Sequence, residues 1–224
     1  FLFACATVPL TERKSFRFIP DSQLLSLSFQ QYSDVLKKSK LSNDPMKVQM
    51  VRRVGERIAK ASEEFLRESK MEEDIKNYKW EFNLIEDDKV VNAWCMPGGK
   101  VAVYTGILPL THDETGLAVV MGHEVAHAMA KHGNERMSQA LLVQLGGMSL
   151  SLALSKEPAL TQQIFMGVYG VGSQVGVMLP YSRLHESEAD RIGLVLMAKA
   201  GYDPREAIPF SERMNQKGGS RPPD

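Results

Sequence analysis

The sequence predicts an α+β fold that is mostly helical and contains one small three-stranded sheet. Two observations carry this prediction: apolar residues recur at helical spacing near both ends of the chain, and a short central stretch alternates apolar with polar residues. The composition is that of an ordinary globular protein, with 43% hydrophobic and 24% charged residues. The 27 basic and 27 acidic residues cancel, which disfavours a nucleic-acid-binding protein.

The first half of the chain predicts two helices followed by the sheet. Apolar spacing indicates a helix over residues 22–38, and Asp44-Pro45 starts a longer one because an N-cap residue precedes a proline. Three strands follow one another along the chain with short connections between them, and Pro97-Gly98-Gly99 is the turn between the last two. Their predicted ranges are residues 78–84, 89–94 and 100–104.

The second half predicts helices only. Thr111 and Glu114 fit a capping box, so a helix should run from there to about His132. Gly133 would then supply the left-handed position that ends it, and Asn134 would cap the next helix.

The region between the two best-defined helices has no clear period. Residues 146–179 are rich in glycine and apolar residues, and two interpretations stay open for them: a mobile cover, or a packed helical hairpin. Residues 186–200 again predict a helix, and Asp203-Pro204 begins another.

The motif with the clearest chemistry is an HExxH pentapeptide in the middle of the helix that begins near residue 111. His123 and His127 are four residues apart, so they share a helix face and can bind one zinc ion. Glu124 lies about 100° round the helix from His123, where it can accept a proton from a water molecule. The alternative is a surface helix that carries two unrelated histidines.

A catalytic zinc needs a third protein ligand and an open position. Six residues after His127, where a metzincin has its third histidine, stands Gly133, which excludes that family. His132 falls off the ligand face and is interpreted as a helix-end residue, where a cationic imidazole suits the helix dipole.

Glu186 is the better third ligand. Asp190 lies one turn further on, where it can accept a hydrogen bond from a ligand imidazole and fix its tautomer. Small residues on the facing helix sides would let the two helices approach closely: Ala126 and Ala130 on one, Ala189 and Gly193 on the other. Glu188 is expected to point away into solvent.

Several separate motifs resemble one family. They are HExxH, the ligand segment from Glu186 to Asp190, Asn92-Ala93-Trp94 with its glycine turn, and residues 103–108. The chain thus resembles the gluzincin metallopeptidases that include HtpX, Oma1 and the CAAX prenyl proteases, and it is most similar to the bacterial periplasmic lipoprotein branch of BepA and LoiP.

The resemblance spans roughly residues 42–216 and implies a zincin-like fold with the small sheet beside the HExxH helix. The zinc metallopeptidase domain is predicted over residues 22–224. The resemblance also implies one Zn²⁺ per chain and hydrolysis of peptide bonds in unfolded or misfolded proteins, as part of cell-envelope quality control. A zinc-stabilised, non-proteolytic, chaperone-like binding module is the alternative, against which the intact Glu124 argues. A structural lipoprotein with an accidental HExxH is the third possibility.

Further candidate site residues are inferred from their positions in the sequence. Arg183, Tyr181 and His185 precede or adjoin the third ligand, and each is a candidate for stabilising the oxyanion. Asn92 and Ala93 resemble the edge strand that pairs with an extended substrate in zinc peptidases of this kind. The alternative is an interior strand with both edges paired.

The first 21 residues are interpreted as the remnant of a secretory signal and a linker. Leu2-Phe3-Ala4-Cys5 resembles a bacterial lipobox, in which Cys5 would carry lipid and bring the domain to a membrane surface. The expected location is the bacterial periplasm, with the outer membrane as the anchoring surface. An apolar start that packs on the domain is the alternative.

Overall fold

The computed structural model describes residues 5–8, 10–169 and 182–216, and the structural statements below concern these residues. The strands are β1 Cys5–Thr7, β2 Lys14–Phe16, β3 Glu81–Ile85, β4 Ala93–Met96 and β5 Lys100–Tyr104. The helices are α1 Asp21–Lys38, α2 Pro45–Glu68, α3 Glu72–Ile75, α4 Leu108–Thr111, α5 Glu114–Met129, α6 His132–Gln144, α7 Leu150–Lys156, α8 Pro158–Val168, α9 Arg183–Lys199 and α10 Ala207–Gln216.

The predicted α+β class is confirmed, with helices in excess and a three-stranded sheet beside α5. The sheet order is β3-β5-β4, in which β3 runs parallel and β4 antiparallel to β5. Helix α5 lies at the centre of the domain, where it packs against α9, α2 and β4. The HExxH helix is therefore held on several sides by other elements.

The second strand begins later than predicted. It spans Ala93–Met96 rather than residues 89–94, and all four of its side chains are buried. A strand that is buried on both faces shows no alternation of apolar and polar residues, so its boundaries are not visible in the sequence. The glycine turn is where it was predicted, and Gly98 and Gly99 both have positive φ, 81° and 77°.

Both ends of α5 differ from the prediction. The N-cap is Asp113, whose carboxylate accepts hydrogen bonds from the backbone N–H groups of Thr115 and Gly116. The helix ends at Met129, and Lys131 rather than Gly133 takes the left-handed conformation, with φ 56°. Gly133 lies inside α6, where a Cβ atom would stand 2.2 Å from the ring of Tyr169.

The predicted role of Asn134 is also wrong. It lies within α6, and its side-chain amide donates a hydrogen bond to the carbonyl of Ile19. The chain turns at Lys131, two residues before the predicted position. His132 and Asn134 therefore lie in the first turn of α6, where both are buried.

Residues 150–168 form a helical hairpin. Helices α7 and α8 pack against each other, and α8 packs on α6. Leu150 and Ala153 of α7 and Phe165 of α8 are fully buried. The packed hairpin, one of the two interpretations left open by the sequence, therefore describes this region up to residue 169. The other interpretation is a mobile cover over residues 146–179, of which residues 170–179 lie outside the described residues.

The described residues of the N-terminal segment pack on the domain, as the alternative interpretation expected, while its origin as a signal remnant and linker stays a prediction. Strands β1 and β2 pair antiparallel, with Cys5 opposite Phe16, and Val8 in the connecting loop is fully buried in the main core. Backbone hydrogen bonds between Val8 and both Arg13 and Glu12 close this loop. An apolar side chain in the core and charged partners described below fix the segment, while lipidation of Cys5 stays a prediction.

Within the described residues, none of the helices combines the length and the apolar character needed to span a bilayer.

Helices α5 and α9 cross in backbone contact. A Cβ atom at Gly193 would stand 3.0 Å from the backbone nitrogen of His123 and 3.1 Å from the carbonyl carbon of Gly122. Ala126, Ala130 and Ala189 are fully buried beside the crossing, as the pattern of small residues predicted. The crossing sets the distance between the histidines of α5 and the carboxylates of α9.

Candidate active site

The structure brings His123, His127 and Glu186 together at the crossing of α5 and α9. The Nε2 atoms of the two histidines lie 3.0 Å apart, and the Glu186 carboxylate oxygens lie 3.5 Å from His123 Nε2 and 3.4 Å from His127 Nε2. One possible ligand atom from each residue lies within 4.8 Å of the other two. Two imidazoles and a carboxylate that converge in this way fit a Zn²⁺ ion, because nitrogen and oxygen donors of these types are its usual ligands.

The electrostatics of this group favour one positive charge at its centre. Burial lowers the pKa of His123, but hydrogen bonds to Asp190 and Glu186 outweigh burial and raise that pKa to about 10. Burial also dominates at His127 and lowers its pKa to about 4. Hydrogen bonds to both histidines outweigh the effect of burial on Glu186 and lower its pKa. A bound divalent cation would supply the positive charge to all three groups.

Glu124 is half-buried beside the group. Burial raises the pKa of its carboxyl to about 7, with His123 opposing the rise and Glu186 adding to it. A carboxyl group with a pKa near neutrality can both accept a proton and return it, which is what a general base that later acts as an acid requires.

Asp190 lies behind His123, where the sequence placed it. Its Oδ1 atom is 2.9 Å from His123 Nδ1, so the carboxylate can accept a hydrogen bond from the imidazole and fix its orientation. Behind His127 the partner is a histidine instead, because the Nδ1 atoms of His127 and His132 lie 2.9 Å apart.

His132 and Glu188 are both buried, which corrects two predictions. His132 is fully buried rather than at an exposed helix end, and its Nε2 atom lies 3.1 Å from a Glu188 carboxylate oxygen. Burial lowers the pKa of His132 and so favours its neutral form over the cation that was expected. Glu188 is 3% exposed, because it faces the N-terminal segment and not solvent.

The residues that surround Glu188 are not predictable from the sequence. Arg13 Nε lies 2.8 Å from Glu188 Oε2, Arg13 Nη2 lies 2.8 Å from Glu135 Oε2, and the Thr11 hydroxyl donates a hydrogen bond to Glu188. These contacts join positions 122 to 177 residues apart in the sequence, so no local pattern could have shown them.

The structure distinguishes between the three candidates for the oxyanion donor. His185 is buried, its Nε2 atom lies 3.2 Å from Glu135, and its ring stacks on His132 at 4.4 Å between centroids. This position gives it a packing role behind the ligands, contrary to the prediction. Arg183 is exposed at the first position of α9, and Tyr181 lies outside the described residues.

Strand β4 is an edge strand among the described residues, since β5 alone pairs with it. The N–H of Tyr104 donates to the carbonyl of Asn92, which makes these two residues a hydrogen-bonded pair of the antiparallel ladder. The pairs alternate, so the backbone N–H and C=O of Ala93 point away from β5, towards the open edge.

The close crossing makes Gly193 sensitive to the smallest enlargement. In Gly193→Ala the new methyl group meets backbone atoms of α5, which cannot rotate away, so the helices must separate. We expect a loss of about 1–3 kcal/mol in the free energy of unfolding, although alanine favours a helix, and weaker metal binding. Thermal unfolding of the metal-free protein and zinc titration test this, and equal or greater stability with wild-type zinc affinity would contradict it.

Residues 45–222 match the family model described as peptidase family M48. The chain belongs to peptidase family M48. The predicted resemblance to the gluzincins is thereby confirmed, and the zincin-like fold of the M48 domain accounts for the sheet beside the HExxH helix.

Individual relatives place the M48 domain within longer proteins. The chain is 38% identical over 149 residues to the mitochondrial metalloendopeptidase OMA1 of Schizosaccharomyces pombe, which covers 65% of this chain and 40% of that protein. The OMA1 of Arabidopsis thaliana is 37% identical over 145 residues, 65% of this chain and 28% of its own length. The beta-barrel assembly-enhancing protease of Escherichia coli is 27% identical over 190 residues, 82% and 36% of the two chains. The M48 chain thus spans less than half the length of these relatives.

Proposed function

We propose that this M48 chain is a zinc-dependent endopeptidase that hydrolyses peptide bonds of unfolded or misfolded proteins in the cell envelope. The observation that carries the proposal is the convergence of His123, His127 and Glu186, with Glu124 beside them. The names of the relatives, metalloendopeptidases and a protease, support the same reaction class.

The residues divide the work of hydrolysis between them. A zinc ion held by His123, His127 and Glu186 would polarise the scissile carbonyl and lower the pKa of the attacking water. Glu124 accepts a proton from that water and delivers it to the leaving amine, for which a pKa of about 7 is suited. Asp190 holds the His123 ring in place through Nδ1, so that Nε2 faces Glu186 and His127, where a zinc ion would be held.

Two candidates for the oxyanion donor remain at the start of α9. Arg183 begins α9, three residues before Glu186, and Tyr181 precedes it by two residues. We propose that one of these two side chains donates to the developing oxyanion, since His185 is held behind the ligands by Glu135.

The cleavage of a disordered substrate tests the proposal directly. Casein should be degraded by the zinc-loaded protein, the degradation should stop when a chelator is added, and it should resume after zinc is restored. Binding of casein with no cleavage by fully zinc-loaded protein would favour the chaperone-like alternative. If the purified protein has no affinity for zinc, the third possibility, a structural lipoprotein with an accidental HExxH, would remain.

We further propose that the substrate binds along the open edge of β4. Backbone groups at a sheet edge pair with any extended peptide, which suits an enzyme for unfolded chains, whose own backbone groups are unpaired. The direction of the Ala93 N–H away from β5 supports this proposal.

Ala93→Pro removes one N–H from this edge and tests the binding mode. One lost hydrogen bond of ~0.5–1.5 kcal/mol should lower kcat/KM for casein by roughly 2–10-fold, mainly through KM. Zinc content should stay at one ion per chain. Ala93→Ser, which keeps the N–H, is the matched control and should behave like wild type. A folded, zinc-loaded Ala93→Pro protein with unchanged kcat/KM would exclude pairing at this position.

The proposed location is the bacterial periplasm, with Cys5 as the lipid-bearing residue that brings the domain to the outer membrane. The relation to the Escherichia coli beta-barrel assembly-enhancing protease supports an envelope setting, whereas the OMA1 relatives are mitochondrial. The intact mass of the mature protein from its native host tests the proposal, because an unmodified Cys5 would exclude it.

A further inference from the structure

A continuous series of hydrogen bonds runs from the metal ligand His127 to the N-terminal segment. His127 contacts His132, His132 contacts Glu188, and Glu188 accepts hydrogen bonds from Thr11 and Arg13. The two interior members, His132 and Glu188, are 0% and 3% exposed. Side chains in the loop between β1 and β2 thus reach a metal ligand through two buried intermediates.

If His127 binds a metal through Nε2, the hydrogen bonds of this series can run in only one direction, from His127 as donor to Glu188 as final acceptor. A His127 that binds metal through Nε2 carries its proton on Nδ1 and donates it to His132 Nδ1. His132 must then carry its own proton on Nε2, which points at the Glu188 carboxylate. The carboxylate is the final acceptor, and it also accepts from the Thr11 hydroxyl and Arg13 Nε. Each group is matched, as buried polar groups require.

Arg13 has a second function in this arrangement, because it is shared by two helices. Its Nη atoms lie 3.1 and 2.8 Å from the two carboxylate oxygens of Glu135 on α6, while Nε contacts Glu188 on α9. Both carboxylates are nearly buried, so the guanidinium compensates two charges that would otherwise lack solvation. The planar guanidinium can do so because its donors point in fixed directions.

We propose that Thr11 and Arg13 are positioning residues of the metal site. They fix the carboxylate of Glu188, which orients His132, which in turn orients the metal ligand His127. The N-terminal hairpin is in this view a structural part of the metallopeptidase site. The inference rests on the metal site of the proposed function, but not on peptide hydrolysis itself.

Zinc affinity of an inactive protein tests the proposal without interference from catalysis. All variants carry Glu124→Gln, and zinc is titrated in competition with a chromophoric chelator. Arg13→Ala should weaken zinc binding by roughly 10-fold, the lower end of the range for a partner directly behind a metal ligand, because Arg13 acts through Glu188 and His132. Replacement of zinc by Co²⁺ should show an altered visible absorption spectrum, since the His127 ring is no longer held in one orientation.

Arg213→Ala is the matched control for a general loss of stability. Arg213 is 19% exposed against 18% for Arg13, and it too binds a carboxylate, that of Glu206. Its removal should lower the unfolding temperature but leave zinc affinity and the Co²⁺ spectrum unchanged. The same pattern in Arg13→Ala, lower stability with zinc affinity within about twofold of the parent, would overturn the proposal.

A milder pair of variants decides the question if Arg13→Ala does not fold. Thr11→Val keeps the shape of the side chain and removes the hydroxyl, whereas Thr11→Ser keeps the hydroxyl. Thr11→Val should weaken zinc binding several-fold, on the order of one lost hydrogen bond to a charged group, and Thr11→Ser should restore it. Equal zinc affinities of the two variants would overturn the proposal. Because hydrolysis is not measured, an inactive wild type would contradict the proposed function alone.

Discussion

Glu124→Gln is expected to abolish peptide hydrolysis while the metal stays bound and the fold stays intact. Glutamine keeps the shape of the side chain but cannot accept the proton of the attacking water, so the rate should fall by roughly 10²–10⁴-fold or more. Glu124 is not among the three residues that face one another as metal ligands, and zinc content should therefore remain at one ion per chain. Casein digestion at matched zinc content is the measurement.

The same substitution at another position of α5 provides the control. Glu114 stands in the first turn of the helix, where it binds Arg53 at the protein surface. Glu114→Gln should retain activity close to that of wild type, because an exposed ion pair contributes little. Activity of Glu124→Gln within a few-fold of wild type would refute the assignment of the general base.

Glu186→Ala is expected to remove zinc binding altogether at micromolar concentrations of metal. The remaining His123 and His127 offer two ligands where a stable zinc site uses three or four protein donors, so the loss should exceed the ~10–100-fold expected for a partner behind a ligand. His123→Ala and His127→Ala should have the same effect. Metal analysis of the purified proteins and zinc titration provide the test.

Two neighbouring acidic residues on α9 serve as controls for the register of the helix. Asp190→Ala removes the carboxylate behind His123 and should weaken zinc binding by roughly 10–100-fold without abolishing it. Glu188→Ala should also leave measurable zinc binding, since Glu188 contacts His132 and not the metal position. Full zinc occupancy in Glu186→Ala together with none in Glu188→Ala would mean that the third ligand is wrongly assigned.

The parts of the site that the sequence predicted depend on short-range geometry. His123, Glu124 and His127 are set by the period of one helix, and Glu186 and Asp190 by the period of another. The contact between these two helices cannot be predicted from short-range geometry, but the small residues on their facing sides indicated it. Gly122, which approaches the backbone of Gly193 at the crossing, is not indicated by the sequence, because a glycine within a helix has several explanations.

The incorrect predictions concern residues whose surroundings come from elsewhere in the chain. A helical wheel turns Glu188 away from the metal and thereby towards solvent, but the N-terminal segment occupies that side and supplies Arg13. His132 was misplaced for a related reason, because the turn at Lys131 needs a left-handed residue that is not glycine. A lysine gives no sign of that conformation in a sequence.

The contacts of the half-buried Arg13 have a consequence for the time at which the site forms. Glu188, which both Thr11 and Arg13 hold, lies 175 to 177 residues further along the chain, on a helix that is synthesised well after the HExxH motif. Contacts between such distant positions close large loops and form late in folding. A chain still leaving the ribosome would hold the HExxH motif but neither Glu186 nor the supported His127. Proteolytic competence would then appear only after α9 has been synthesised and has packed on α5.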